Sequence, residues 1–243
     1  MIDVHCHILP EVDDGAKSWD IALEMCHIAA QDGITHIVAT PHANYEYEYD
    51  REAHQQRLLR LRELAPTSLE FSLGCDFHFS YDNIEDALKH PHRYAIAGGQ
   101  YMLIELSDYS IPFTISETMS RLNGAGLKLI LTHPERNAIL QRRPEQVLAW
   151  AEKGCAVQVT ASSITGFWGK AAKNVSKWLL ERRAVHIIAS DGHDTKHRPP
   201  KMSEARKVVA EWADQETARM LFEENPRAIV CSEPLPYFPQ PDQ

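Results

Sequence analysis

The sequence has no C-x-x-C pair, and its five cysteines, Cys6, Cys26, Cys75, Cys155 and Cys231, are odd in number and widely spaced. A disulfide framework and a cysteine-type structural zinc site are set aside, and reduced core thiols are expected. No apolar run approaches the roughly 20 residues of a membrane span, and the N-terminus lacks the basic start and apolar stretch of a signal peptide. A cytoplasmic location without membrane insertion is therefore expected. Positive charge is not in excess either: the net charge is −9, with both signs interspersed, which argues against a general nucleic-acid or anionic-membrane binder. There is no internal repeat, and no G-x-G-x-x-G follows the first strand-like run, so a dinucleotide-binding fold loses its main signature.

What is present suits a single α/β domain: 243 residues with 44% hydrophobic content, ample for one core. Short β-branched or apolar runs ("IDVHCHI", "ITHIVATPH", "LEFSLGCDFH", "YMLIELS", "LKLILTHPER", "AVQVTASS", "AVHIIASDGH") alternate with helical patterns. Ser18 serves as N-cap and Gly33 as stop of the first helix; 51–64, 82–90, 114–125, 144–153, 170–183 and 201–223 also read as helices, the last broken near Ala213 and Asp214. Regular alternation implies a parallel sheet, and about seven such units favour a βα barrel over an open sheet. The domain is read as 1–231, followed by a proline-rich tail, 232–243, that is extended or disordered.

In a βα barrel the functional groups gather where strands end. Those ends here carry His5 and His7, Asp13 and Asp14, His42, Asp76 and His78, Glu105, His133 with Glu135 and Arg136, and Asp191 with His193. Singly, each has an ordinary explanation: a turn, a cap or a loop. Together they point to a polynuclear metal site with imidazole and carboxylate ligands, suited to manganese, iron or catalytic zinc. In the opening stretch "MIDVHCHILPEVDDG", strand alternation would set Asp3, His5 and His7 in one row, with a carboxylate free to orient a ligating histidine. His27 and His54 fall on helices, His90 and His92 flank a helix end, and His36 and His186 lie early in strands. His78 and His197 stay undecided.

D-x-H-x-H at 3–7, "DDGAKS", "TPH" at 40–42, "HPER" at 133–136 and "SDGH" at 190–193 resemble the polymerase and histidinol phosphatase (PHP) superfamily. With "QVTASSITG" they are similar to its bacterial protein tyrosine phosphatase branch, encoded with capsular and exopolysaccharide synthesis genes. The resemblance spans residue 1 to about 230. It implies a distorted (β/α)7 barrel and three divalent metal ions, commonly manganese. By motif, one ion would take His5, His7 and Asp191, with Asp76 bridging to a second held by Glu105 and His133. A third would take Asp14, His42 and His193. Arg136 would bind phosphate. Position 76 departs from the family pattern, which has glutamate.

The resemblance further implies a phosphotyrosine protein substrate, in particular an autophosphorylating bacterial tyrosine kinase, cleaved by metal-activated hydroxide. Three divalent ions against the carboxylates of Asp14, Asp76, Glu105 and Asp191 leave a net positive pocket, fit for a phosphate dianion. No cysteine has an arginine six positions on; Val12, Asp32, Tyr81, Ala161 and Tyr237 stand there instead. A thiolate nucleophile is thus not expected. The alternatives are a PHP-type phosphoesterase acting on a small molecule such as histidinol phosphate, an exonuclease-like activity, or a non-catalytic metal-binding module. Metal-dependent amide hydrolysis is disfavoured, because no lysine ends a strand.

Overall fold

The computed structural model describes residues 1–241, and all strand pairing in it is parallel. The strands are β1 (Ile2–Cys6), β2 (His36–Ala39), β3 (His42–Ala43), β4 (Glu70–Leu73), β5 (Asp76–His78), β6 (Tyr101–Glu105), β7 (Lys128–Thr132), β8 (Ala156–Thr160) and β9 (Ile187–Ala189). They form two sheets, β1-β2-β4 and β3-β5-β6-β7-β8-β9, in a single α/β domain. The division has a local cause. Pro41, which has no N–H, separates β2 from β3, and Gly74–Cys75 separates β4 from β5. Two bonds carry the pairing across the gap: Gly74 N–H to the Ala39 carbonyl (2.8 Å) and Asp76 N–H to the Pro41 carbonyl (3.1 Å). Across the other junction, Asp191 N–H donates to the His5 carbonyl and His7 N–H to the Gly192 carbonyl, each at 2.8 Å.

The helices are α1 (Trp19–Gln31), α2 (Arg51–Leu64), α3 (Tyr81–Lys89), α4 (Ile115–Gly124), α5 (Glu145–Ala151), α6 (Ala161–Thr165), α7 (Gly169–Glu181), α8 (Ser203–Trp212), α9 (Gln215–Arg219) and α10 (Asn225–Val230). Ser18 caps α1 by accepting the Ile21 N–H, and the last helical stretch breaks at Ala213–Asp214, as the sequence predicts. Among the described residues no helix is long and apolar enough to cross a membrane. All five cysteines are free; Cys231 is exposed and the other four are buried.

Two apolar clusters support the site. The larger packs helices against sheets, and the smaller joins Val4, Val38, Leu103, Ile130 and Ile187 from five strands. Strict alternation fails in β1, whose register shifts between Asp3 and Cys6. Val4 joins the smaller cluster and Cys6 the larger, while the His5 ring between them meets Gln158 of β8. A bulge of this kind re-aims a side chain, so Asp3 does not share a row with His5 and His7. Its carboxylate instead accepts the Ser190 N–H (2.9 Å) and the Ser190 hydroxyl, tying β1 to the end of β9. This corrects the expectation that Asp3 orients a ligating histidine.

The described part of the C-terminal segment is held against the domain. Asn225, fully buried, donates to the carbonyls of His186 (2.8 Å) and Tyr237 (2.6 Å) and accepts the Tyr237 N–H (3.0 Å). The Phe238 ring lies 4.1 Å from that of His186. Residues 242 and 243 of the tail lie outside the described residues. Asn225→Ala strands three backbone groups and should cost about 2–3 kcal/mol, measurable as a lowered midpoint in urea. An unchanged midpoint would show that these bonds are replaced by water without loss.

Candidate metal centre

Polar side chains converge on one place from the C-terminal ends of β1, β6, β7 and β9 and from the first residues of β3 and β5, His42 and Asp76. The His5 Nε2 atom lies 3.5 Å from Asp76 Oδ2, 3.4 Å from Asp191 Oδ1 and 3.2 Å from His7 Nε2. His42 Nδ1 lies 3.3 Å from Asp76 Oδ2 and 3.8 Å from Glu105 Oε2. Asp14 Oδ1 sits 3.4 Å from both His42 Nε2 and His193 Nε2. His133 Nε2 is 3.6 Å from Glu105 Oε1. Thus His5, His7, Asp14, His42, Asp76, Glu105, His133, Asp191 and His193 form one cluster. His78 stands at its edge, 3.8 Å from Glu105.

Three groups have ligand atoms within 4.8 Å of one another: His7, Asp14, His42 and His193; His5, His7 and Asp76; and His42, Asp76 and Glu105. Asp76 is shared, as in the motif-based sets, but the partition differs from them in that His7 and His42 are shared as well and Asp191 and His133 fall in none of the three groups. His133 approaches through Glu105, and its ring centre lies 5.6 Å from that of His5. The donor set fits divalent cations on independent grounds. Both Asp76 oxygens and His42 Nδ1 are buried without a hydrogen-bond partner, which is costly unless a cation satisfies them.

Outer partners fix the rings. Asp13 Oδ2 accepts from His7 Nδ1 at 2.7 Å and Gln158 Oε1 from His5 Nδ1 at 3.0 Å, leaving both Nε2 atoms for the cluster. Asp13 also accepts the Gly15 N–H (2.9 Å) and the His42 N–H (3.1 Å). At Gly15 a Cβ would fall 2.1 Å from the His7 carbonyl oxygen, so only glycine lets the "DDG" loop return over His7. His133 and Asp191 have φ of 32° and 52°, left-handed values that non-glycine residues rarely adopt. Each directly follows or closely follows a strand end.

Glu135 does not enter the cluster. Its Oε1 accepts the Thr160 N–H (3.0 Å) and the Ser163 hydroxyl (2.7 Å), supporting the start of α6. Arg136 pairs with Asp191 Oδ2, and its guanidinium lies 4.0 Å from the centre of the Trp168 ring. Arg198, unremarked in the sequence, reaches the same Asp191 oxygen at 2.5 Å and Trp168 at 5.4 Å. A cavity of about 150 Å³ beside them is lined by Glu105, Leu106, His133, Arg136, Leu140 and Trp168 among others.

Residues 1–231 match the family described as "Capsular polysaccharide synthesis, CpsB/CapC". The chain belongs to the CpsB/CapC family. It is 34% identical to tyrosine-protein phosphatase YwqE of Bacillus subtilis, over 100% of this chain and 96% of that one. It is 29% identical to tyrosine-protein phosphatase CpsB of Streptococcus pneumoniae, over 96% and 99%. A crystal structure from work on YwqE of Bacillus subtilis and CpsB of Streptococcus pneumoniae, described as unique metal-dependent tyrosine phosphatases, superposes with a TM-score of 0.88 at 32% identity, covering 100% of both chains. The phosphotriesterase homology protein of Escherichia coli, at 10% identity and a TM-score of 0.62, covering 94% of this chain and 98% of that one, shares the fold alone.

Electrostatics of this CpsB/CapC-family centre sets a pH rule. Burial alone would lower the His5 pKa, but Asp76 and Asp191 raise it to about 9. Burial likewise opposes, and Asp14, Asp76 and Glu105 outweigh it at, His42, raised to about 10. Burial lowers His7 to about 4, reinforced by His193. Both raised groups hold protons at neutral pH in metal-free protein and must lose them to ligate. Loading at pH 7 should therefore release protons, and affinity should rise with pH up to about 9–10; indicator-dye titration with Mn²⁺ checks this, and pH-independent uptake contradicts it. Asp76→Asn removes the shared carboxylate and should weaken binding by about 10²-fold or more, read as metal content after dialysis.

Proposed function

We propose that this chain is a metal-dependent protein tyrosine phosphatase serving capsular or exopolysaccharide synthesis, acting in the cytoplasm on an autophosphorylating bacterial tyrosine kinase. The observation that carries the reading is the pairing of a buried histidine and carboxylate cluster with two guanidinium groups, Arg136 and Arg198, beside the Trp168 ring. Residues 1–231 would enclose the centre as a (β/α)7 barrel, the interrupted pairs β2/β3 and β4/β5 each counting as one strand, with 232–243 as its tail.

Three ions, manganese foremost with iron or zinc as alternatives, would be held by His5, His7 and Asp191; by Asp76, Glu105 and His133; and by Asp14, His42 and His193. When bound, such ions lower the pKa of water toward neutrality and neutralise the charge of a phosphoryl group in line displacement. The remaining roles belong to the protein. Arg136 binds equatorial phosphate oxygens as a planar fork, and the Trp168 ring keeps that plane oriented. Leu106, Leu140 and Trp168 line the adjoining cavity together with Glu105, Asp108, His133, Arg136 and Asn137, so apolar side chains that could meet the aryl ring of phosphotyrosine stand beside polar groups that could meet its phosphate. Asp13 and Gln158 hold His7 and His5 in one tautomer.

Chelation should abolish hydrolysis of phosphotyrosyl peptides and Mn²⁺ should restore it. A panel adding phosphoserine, histidinol phosphate and oligonucleotides separates the readings: preference for any of these over phosphotyrosine overturns ours. Arg136→Lys keeps the charge but loses the fork, and should lower kcat by about 10²–10³ with metal content intact. An unchanged kcat/KM would remove Arg136 from phosphate binding.

A further inference from the structure

Next to the metal centre lies a second cleft of about 410 Å³ that the mechanism above does not use. Lys196, His197, Arg198, Lys201 and Phe167 line it. Lys196, His197 and Lys201 are exposed, and so is more than half of Phe167, at 55%. The loop presenting these cations is built into a fixed shape. Asp194 Oδ1 accepts the N–H groups of Lys196 (2.6 Å), His197 (2.6 Å) and Arg198 (3.1 Å), and the Arg198 carbonyl accepts the His193 N–H at 2.8 Å. Its foundation is thus a residue of the metal cluster itself.

Two carboxylates share the cleft, Asp32 and Glu204. Asp32 is engaged in holding the start of α8, accepting the N–H groups of Met202 (2.6 Å) and Ser203 (2.9 Å) and the Ser203 hydroxyl (2.6 Å). In the cleft's lining three permanent cations, Lys196, Arg198 and Lys201, stand against the two carboxylates of Asp32 and Glu204, on a chain whose net charge is −9. The cleft also adjoins the reactive centre. Arg198 joins it to Asp191, and Ser162, in its wall, accepts the Trp168 indole N–H at 3.0 Å. An extended peptide advances about 3.3–3.6 Å per residue, so residues close to a phosphotyrosine gripped by Arg136 come within reach.

We propose that this cleft is a subsite for acidic side chains flanking the phosphotyrosine, making the enzyme selective for acidic phosphopeptides; the proposal rests on the phosphatase reading above. Cations at an exposed rim act mainly on encounter and on ground-state binding, and their effect is screened by salt. The preference should appear in KM more than in kcat.

The test uses the metal-loaded enzyme and the variant Lys196→Glu/Lys201→Glu. Substrates are p-nitrophenyl phosphate, a phosphotyrosyl peptide with neutral flanks, and two peptides with Asp and Glu placed N-terminal or C-terminal to the phosphotyrosine. The parent enzyme should favour at least one acidic peptide over the neutral one by about tenfold in kcat/KM at low salt, less at high salt. The variant should lose that preference while hydrolysing p-nitrophenyl phosphate and the neutral peptide as before, and Lys196→Gln/Lys201→Gln should lose part of it. Equal rates on acidic and neutral peptides in the parent enzyme, or a preference that survives both variants, overturns the subsite. Failure to turn over any phosphotyrosyl substrate, with turnover of another phosphate ester, overturns the phosphatase reading instead.

Discussion

A carboxylate with both oxygens buried and unpartnered is stable only beside an opposite charge, and Asp76 is placed so among the rings of His5, His7 and His42. The architecture around it follows from that constraint. Parallel strands bring their C-terminal ends together, so residues far apart in sequence converge without long loops. Below them, Val4, Val38, Leu103, Ile130 and Ile187 form an apolar layer. That layer gives the polar cluster a rigid floor and keeps water from approaching it from beneath. Asp13 and Gln158 occupy the outward nitrogens of His7 and His5, so the inward nitrogens have no partner but the cluster itself.

Backbone geometry carries part of the cost. His133 and Asp191 are left-handed without being glycine, a conformation costing of order 1–3 kcal/mol each. For Asp191 the cost is met locally: its N–H donates to the His5 carbonyl at 2.8 Å, while its two oxygens face the imidazoles and the two arginines. A strand continuing in extended conformation would turn the next side chain to the opposite face. The left-handed residue breaks that alternation at the rim, and the side chain stays with the cluster.

The site's location is readable because its residues break an apolar pattern at a recurring place: every strand-like run but "AVQVTASS" carries a histidine, a carboxylate or both near its end. What could not be read lies where the signal is not local. The β1 bulge shifts Asp3 away from His5, yet "IDVHCHI" alternates faultlessly as text. Gln158 sits inside an ordinary apolar strand, and only its distance to His5 gives it a role. Glu135 belongs to the same "HPER" as Arg136, but the chain turns between them and sends it to α6. Arg198 lies in a polar loop that resembles many others until Asp194 fixes its shape. The interruptions at Pro41 and Gly74 were visible as residues, but the splitting of the pairing into two sheets depends on neighbours contributed by other strands.

Charge distribution then decides what such a cluster can attract. A chain of net charge −9 repels anions at long range, and that repulsion is damped beyond about 8–10 Å at ordinary ionic strength. Attraction must therefore be built at short range, by groups already held in place. Arg136 and Arg198 are held by Asp191 and by the Trp168 ring, so little side-chain entropy is lost when they meet an anion. Lys196 and Lys201 extend the same positive character outward along a loop that Asp194 keeps in shape. On the reading proposed above, selection of an anionic ligand is a property of one lip of the molecule, and it works against the average field of the rest.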